Sequence, residues 1–282
     1  MNSVHQYEYG SGPKKGRFSG QDKAGIAILL ITILAASAIA YWISQKKSSL
    51  VHYDSATYCP SKGPFGKTVL LIDLTDEISF LQEQKLKNYI KSLSNPESDQ
   101  YLSKHDMLSV YLLSESDSKS IPVPIVEVCN PGDGEGLNEF TGNPRLAHKR
   151  FSERFLSPIN HAIGQIVAVE SSETSPIIES LRGISVSAFD DNPEPGHEHR
   201  LVVISDMLQN SSDISHYRNG QSQSLDQLKT FRADLDGVSV IDIKVLDREA
   251  SKKLQGKQLV EFWRQYFRAS GTALNSAERW TE

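Results

Sequence analysis

Two short apolar runs, each closing on an aspartate, constrain this chain more than anything else in it. The first is Val69-Leu-Leu-Ile72, followed by Asp73, Leu74, Thr75, Asp76 and Glu77. The second is Leu201-Val-Val-Ile204, followed by Ser205 and Asp206. Runs of this length without polar alternation read as strands buried on both faces, and such strands belong to parallel sheets covered by helices. In open α/β sheets, ligands sit outside the carboxyl ends of the strands. Asp73 and Asp206 are therefore expected at a functional rim, among the hard oxygen donors that Mg²⁺ or Mn²⁺ prefers.

The rest of the chain alternates helix and strand around these runs. The spacing of Ile78, Leu81, Leu86, Tyr89, Ile90 and Leu93 predicts a helix over 77–94, stopped by Asn95-Pro96. Strands are expected near 107–113 and 122–128, and a Gly-rich loop over 129–144. Helices follow at 146–156 and 158–170. Ser175-Pro176 reads as an N-cap and first-turn proline for a helix reaching Arg182. A helix over 223–233 and a strand over 238–245 precede a last helix, Lys257 to Ala269, ending at Gly271. Its Leu259, Phe262, Trp263, Tyr266 and Phe267 share one face, as expected for a helix docked on a sheet. The predicted architecture is α/β: a Rossmann-like three-layer sandwich with a mostly parallel sheet and helices on both faces.

Residues 24–43 carry no charge and read AGIAILLITILAASAIAYWI. At about 1.5 Å per residue they span roughly 30 Å, the thickness of a bilayer's hydrocarbon core. Tyr41 and Trp42 stand at one end, where an interfacial aromatic belt belongs. Two small-residue sites, Ala36-Ser37-Ala38 and Ala38-Ile39-Ala40, also fit signal-peptide cleavage. The long segment before the run, and its continuation to Ile43, favour an uncleaved signal-anchor. Lys14, Lys15, Arg17 and Lys23 outnumber Lys46 and Lys47, which places the N-terminus in the cytoplasm and the large domain outside it. The expected organisation is a disordered tail (1–23), a single transmembrane helix (24–43), a linker (44–66), one folded domain (67–271) and a C-terminal tail (272–282). A net charge of −5 offers no basic field for nucleic acid.

An extracytoplasmic domain permits disulfides, and the chain holds two cysteines. Cys59 lies just before the first strand. If 122–128 returns antiparallel beside 107–113, Cys129 arrives at the same rim of the sheet. A bridge is then geometrically plausible; two unrelated thiols are the alternative.

Three pieces, LLIDLTDEIS, ETSPIIESL and LVVISDMLQNS, are similar in order and spacing to the von Willebrand factor A-like family. That family carries Asp-x-Ser-x-Ser after its first strand, a threonine in a loop that opens a later helix, and an aspartate after its fourth strand. Together they hold a divalent cation, the metal-ion-dependent adhesion site (MIDAS). The resemblance covers about residues 68–270. It implies metal-ligating roles for Asp73, Thr75, Asp206 and one of Thr174 and Ser175. Glu77 stands where the family has serine. Its carboxylate either ligates the ion directly or turns outward and leaves the site incomplete.

The resemblance implies a membrane-tethered module that binds a protein partner rather than an enzyme. A metal-dependent phosphohydrolase is the main rival: phosphatases of the haloacid dehalogenase type also place aspartate at the end of a first strand. Thr75 replaces their second aspartate and is a poor general acid. A scaffold with a degenerate metal site is the third reading. Gly63-Pro-Phe-Gly66-Lys67-Thr68 precedes a strand and lacks the first glycine of a phosphate loop. His197-Glu198-His199 has too few companions for zinc. Asp133, Glu135 and Glu139 miss the calcium-loop spacing.

Overall fold

A computed structural model describes residues 20–48, 52–114, 120–135, 142–166, 172–219 and 229–281. The chain divides into two compact units, one up to residue 51 and one from His52 onward. In the first, α1 runs Gly20–Ser48. Its stretch Ala24–Trp42 is long and apolar enough to cross a membrane, and none of it is buried. An all-round apolar surface of this kind suits a non-aqueous neighbour. The hydroxyls inside it are satisfied by the helix itself: Thr32 Oγ1 donates to the Leu29 carbonyl and Ser37 Oγ to that of Ile33. Residues 1–19, expected as a disordered tail, lie outside the described residues.

The second unit is built on a six-stranded sheet in the order β3-β2-β1-β4-β5-β6. Its strands are β1 (Lys67–Ile72), β2 (Met107–Leu112), β3 (Val126–Cys129), β4 (His199–Ser205), β5 (Val240–Leu246) and β6 (Leu274–Trp280). β1 pairs in parallel with β2 and β4, and β5 with β4 and β6; β3 alone is antiparallel. The predicted two-sided burial follows the strand period of two. Val69, Leu71, Leu201, Val203, Ile241 and Ile243 enter one core, while Leu70, Ile72, Val202 and Ile204 enter the other. The first core lies under α5 (Ile177–Ala188) and α7 (Lys257–Ala269), the second under α2 (Phe80–Ser92) and α4 (Ser157–Ile166). The three-layer α/β sandwich is thus the observed fold.

α7 matches its prediction in bounds and face: Leu259, Phe262, Trp263, Tyr266 and Phe267 are all buried. Gly271 closes it at φ +95°, where a Cβ would press on Asp236. Other elements differ, for local reasons. α2 starts at Phe80 because Ser79 and Gln82 form a capping box. Gln82 is then turned into the core, where its Nε2 donates to the carbonyls of Asp247 and Trp280. Leu81, expected in the apolar stripe, is left exposed. The two helices expected over 146–156 and 158–170 are α3 (Pro144–Phe151), a π-helical turn over Ser152–Leu156 and α4 without a break in between. The helix expected over 223–233 falls largely outside the described residues; the four-residue α6 (His216–Asn219) precedes it.

Both expected boundaries of the domain are corrected. Residues 272–282 are not a tail: β6 pairs with β5 from Leu274 to Trp280 and buries Trp280. The sequence hid this because β6 reads LNSAERW, with only Trp280 buried. Residues 52–66 are not a free linker either. Asp54 organises a turn by accepting from Ala56 N–H, Thr57 N–H and the Thr57 hydroxyl. Tyr53 bridges to Pro60, Cys129 N–H donates to the Thr57 carbonyl, and Cys59 is disulfide-bonded to Cys129.

Candidate functional site

Strand order reverses between β1 and β4, the switch point at which open α/β sheets form their crevice. Asp73 follows β1 there, and its N–H donates to the Ile204 carbonyl of β4. The carboxylate is buried and has a hydroxyl on each side. Oδ1 accepts from Thr75 N–H at 3.0 Å and from Thr75 Oγ1 at 2.7 Å. Oδ2 accepts from Ser175 Oγ at 2.8 Å and from Ser205 Oγ at 2.7 Å. Three separate segments of chain are thereby gathered on one side chain.

Ser175 was expected to cap α5. Instead Pro176 holds the N-cap position without a side-chain bond, and the Ser175 hydroxyl belongs to Asp73. The vacated capping role falls to Gln209, whose Oε1 accepts from Ile178 N–H while its Nε2 donates to Glu179. The loop after β4 is fixed from below. Met207 is fully buried at φ +63°, a conformation costly for a side-chain-bearing residue. Ser205 Oγ accepts its N–H, and Trp263 Nε1 donates to its carbonyl. Gln255 Nε2 donates to the carbonyls of Asp206 and Leu246, tying the β4 and β5 ends together.

Asp206 is 5% exposed, with Oδ1 accepting from Leu208 N–H. Burial, reinforced by the neighbouring Asp73 charge, pushes its carboxyl up to about 8. Arg248 pulls the other way; its Nη2 donates to the Asp76 carbonyl. A cleft of about 250 Å³ opens here, lined by Thr75, Asp76, Thr174, Ser175, Asp206 and Tyr217 among others. Within it Thr174 Oγ1 is buried with no hydrogen-bond partner among the described residues.

Glu77 is not part of this gathering. It is exposed and lines a different concavity, against α2 and α4. Asp76, one residue earlier, faces the cleft in its place. Sequence reasoning also missed Ser205, Gln209 and Gln255. Ser205 had a signal: a hydroxyl directly after the apolar run Leu201 to Ile204. The two glutamines had none, because the groups they bond lie on other elements that only folding brings near.

The donors in the cleft are carboxylate and hydroxyl oxygens. Among the described residues no group of three or more His, Cys, Asp and Glu is placed to hold a metal. Any cation here would therefore take hydroxyl oxygens as well as carboxylates. Two features suit one: Thr174 Oγ1, without a partner among the described residues, and the buried Asp206 carboxyl, whose charge is opposed by that of Asp73.

Six strands in this order, with an aspartate after β1, a second after β4 and Ser175 of an intervening loop bonded to the first, give the topology expected of a von Willebrand factor A-like fold, here with an N-terminal apolar helix. No protein-family model and no curated protein matches the chain. Solved structures similar to it include an aerotolerance-related membrane protein of Bacteroides fragilis carrying multiple mutations to serines, at 12% identity and TM-score 0.35, covering 76% of this chain and 90% of that one. BatB of Bacteroides thetaiotaomicron is similar at 11% identity and TM-score 0.34, covering 77% and 90%. VWA2, the ArnB paralog of Sulfolobus acidocaldarius, is similar at 12% and 0.32, covering 70% and 40%. Likenesses this distant leave function to be argued from the chain's own residues.

Proposed function

We propose that this chain is a membrane-tethered protein-interaction module, anchored by α1, whose partner docks over the β1–β4 rim. We further propose that the rim holds Mg²⁺ or Mn²⁺ through oxygens of Asp73, Thr75, Thr174, Ser175 and Asp206, an atypical version of the MIDAS arrangement. The observation that carries this reading is the convergence on Asp73 of three hydroxyls, beside the buried Asp206 carboxyl and the Thr174 hydroxyl, without a partner among the described residues. Such an ion would supply positive charge to a buried acidic pair and a point of attachment for a partner's oxygen.

Against a phosphohydrolase stands Thr75, in the place of those enzymes' second aspartate: its hydroxyl donates to Asp73 and is a poor general acid. The large domain is placed outside the cytoplasm. The excess of cations before α1 supports this, as does the disulfide, a bond that persists in oxidising compartments.

The test titrates the full-length chain in detergent with Mg²⁺, Mn²⁺ and Ca²⁺ while following Tm. A ligand at a hundred times its Kd stabilises by about 2.7 kcal/mol, so Tm should rise. The rise should vanish in Asp206→Ala, together with partner capture. An unchanged Tm at millimolar metal would remove the cation from the proposal, and capture unaffected by Asp206→Ala would remove the rim.

A further inference from the structure

The α2 flank of the rim holds a second concavity, of about 220 Å³. Its lining is part aliphatic, from Leu74, Ile78, Leu86, Ile163 and Ile166, and part charged. This lies below the roughly 300–1,000 Å³ of a typical small-molecule site. It suits one or two apolar side chains. Asp76 lines both this groove and the cleft beside Asp206, so the two are neighbours.

The mouth is acidic. Asp76 and Glu77 are exposed, and neither forms an ion pair among the described residues. Glu83 and Lys87, which also line the groove, cancel each other across one turn of α2. Phe80 stands one turn before Glu83 on the same face and is 71% exposed. With Gln82 turned inward, the start of α2 presents this ring to solvent.

We propose that this groove receives an apolar side chain of the protein partner, flanked in the partner's sequence by Lys or Arg that pair with Asp76 and Glu77. The proposal rests on the reading of the rim as an interaction surface and names the chemistry of what docks there. A buried apolar anchor supplies most of the affinity of such a contact. The rim charges select the partner and speed its arrival.

The experiment uses the full chain in neutral-lipid nanodiscs with ¹³C-labelled Ile and Leu methyl groups, free of divalent cations. Two probe peptides are compared: Gly-Ser-Lys-Ile-Leu-Lys-Ser-Gly, and the same sequence with both lysines replaced by glutamate. The lysine probe should shift the Ile78 and Ile163 methyl signals saturably, and the glutamate probe should bind about tenfold more weakly or worse, as like charges would meet at the mouth. Glu77→Lys, an exposed substitution that leaves the core alone, should erase that preference. Ile163→Trp should fill the groove and abolish the response to both probes. No methyl shift with millimolar lysine probe, equal responses to the two probes, or indifference to Glu77→Lys would each overturn the proposal. Repeating the titration in Asp206→Ala separates it from the metal. A groove response in both the parent and the variant, with no effect of metal on the parent's Tm, would sink the cation and spare the anchor. A metal effect without a groove response would do the reverse.

Discussion

The Ser205 hydroxyl donates to Asp73 and accepts the Met207 N–H, so one small side chain serves both the cleft and the turn that shapes it. Its neighbours divide by how much of their role sequence could show. Asp73, Thr75 and Asp206 were legible because they end apolar runs, and a polar residue at a buried strand's carboxyl end has few other uses. Glu77 was not, because a two-residue spacing says nothing about which way a loop turns; the loop presents Asp76 to the cleft instead. His216 carries a prediction at this scale. It is fully buried and packs edge-on against Phe262, and burial lowers its pKa from 6.5 to about 4. The unfolded chain therefore binds a proton more readily than the folded one between those values. This contribution to stability is complete above pH 6.5 and is lost as pH falls toward 4, amounting to about 3 kcal/mol. Urea unfolding at stepped pH should show this slope, and His216→Phe should flatten it relative to the parent.

At the scale of elements, periodicity identified helices and buried strands, while bonds between elements set where they begin and end. α7 was readable throughout because its five large apolar residues dictate one face. α2 was misread at its start because Ser79 and Gln82 cap each other and the core accepts the glutamine. The N-terminal segment from His52 was misread because its ties are a turn around Asp54 and a covalent bond, neither of which leaves a hydrophobic pattern. That bond joins cysteines 70 residues apart. Closing a loop of that length in the unfolded chain is worth about 4 kcal/mol in the chain-entropy model. Reduction, or Cys129→Ser paired with Cys59→Ser, should lower the unfolding free energy of the full chain by about 2–5 kcal/mol, measured by denaturant titration with and without reductant.

For the whole molecule, α1 and the domain from His52 obey opposite solvent rules. The domain hides its apolar residues in two cores on either side of one sheet; the α1 stretch Ala24–Trp42 hides none. A helix with hydroxyls bonded to its own carbonyls and an unbroken apolar surface suits hydrocarbon. The proposed orientation predicts that protease added to intact, outer-layer-stripped cells digests the domain, while an N-terminal tag survives until the membrane is opened. Survival of the domain with loss of the tag would reverse the orientation.

The sequence by itself determined the class of fold, the apolar helix, and the two aspartates at strand ends. Each of these is written in local pattern: period two, a charge-free span, polarity breaking where a strand stops. Tertiary structure decided what those aspartates meet. Ser175 reaches Asp73 rather than its own helix end, Gln209 takes over that end, and Asp76 rather than Glu77 turns into the cleft. It also brought β6 onto the sheet edge and left Phe80 exposed at the start of α2. These outcomes depend on competition among hydrogen-bonding partners far apart in the chain, and a linear pattern does not record which partner wins.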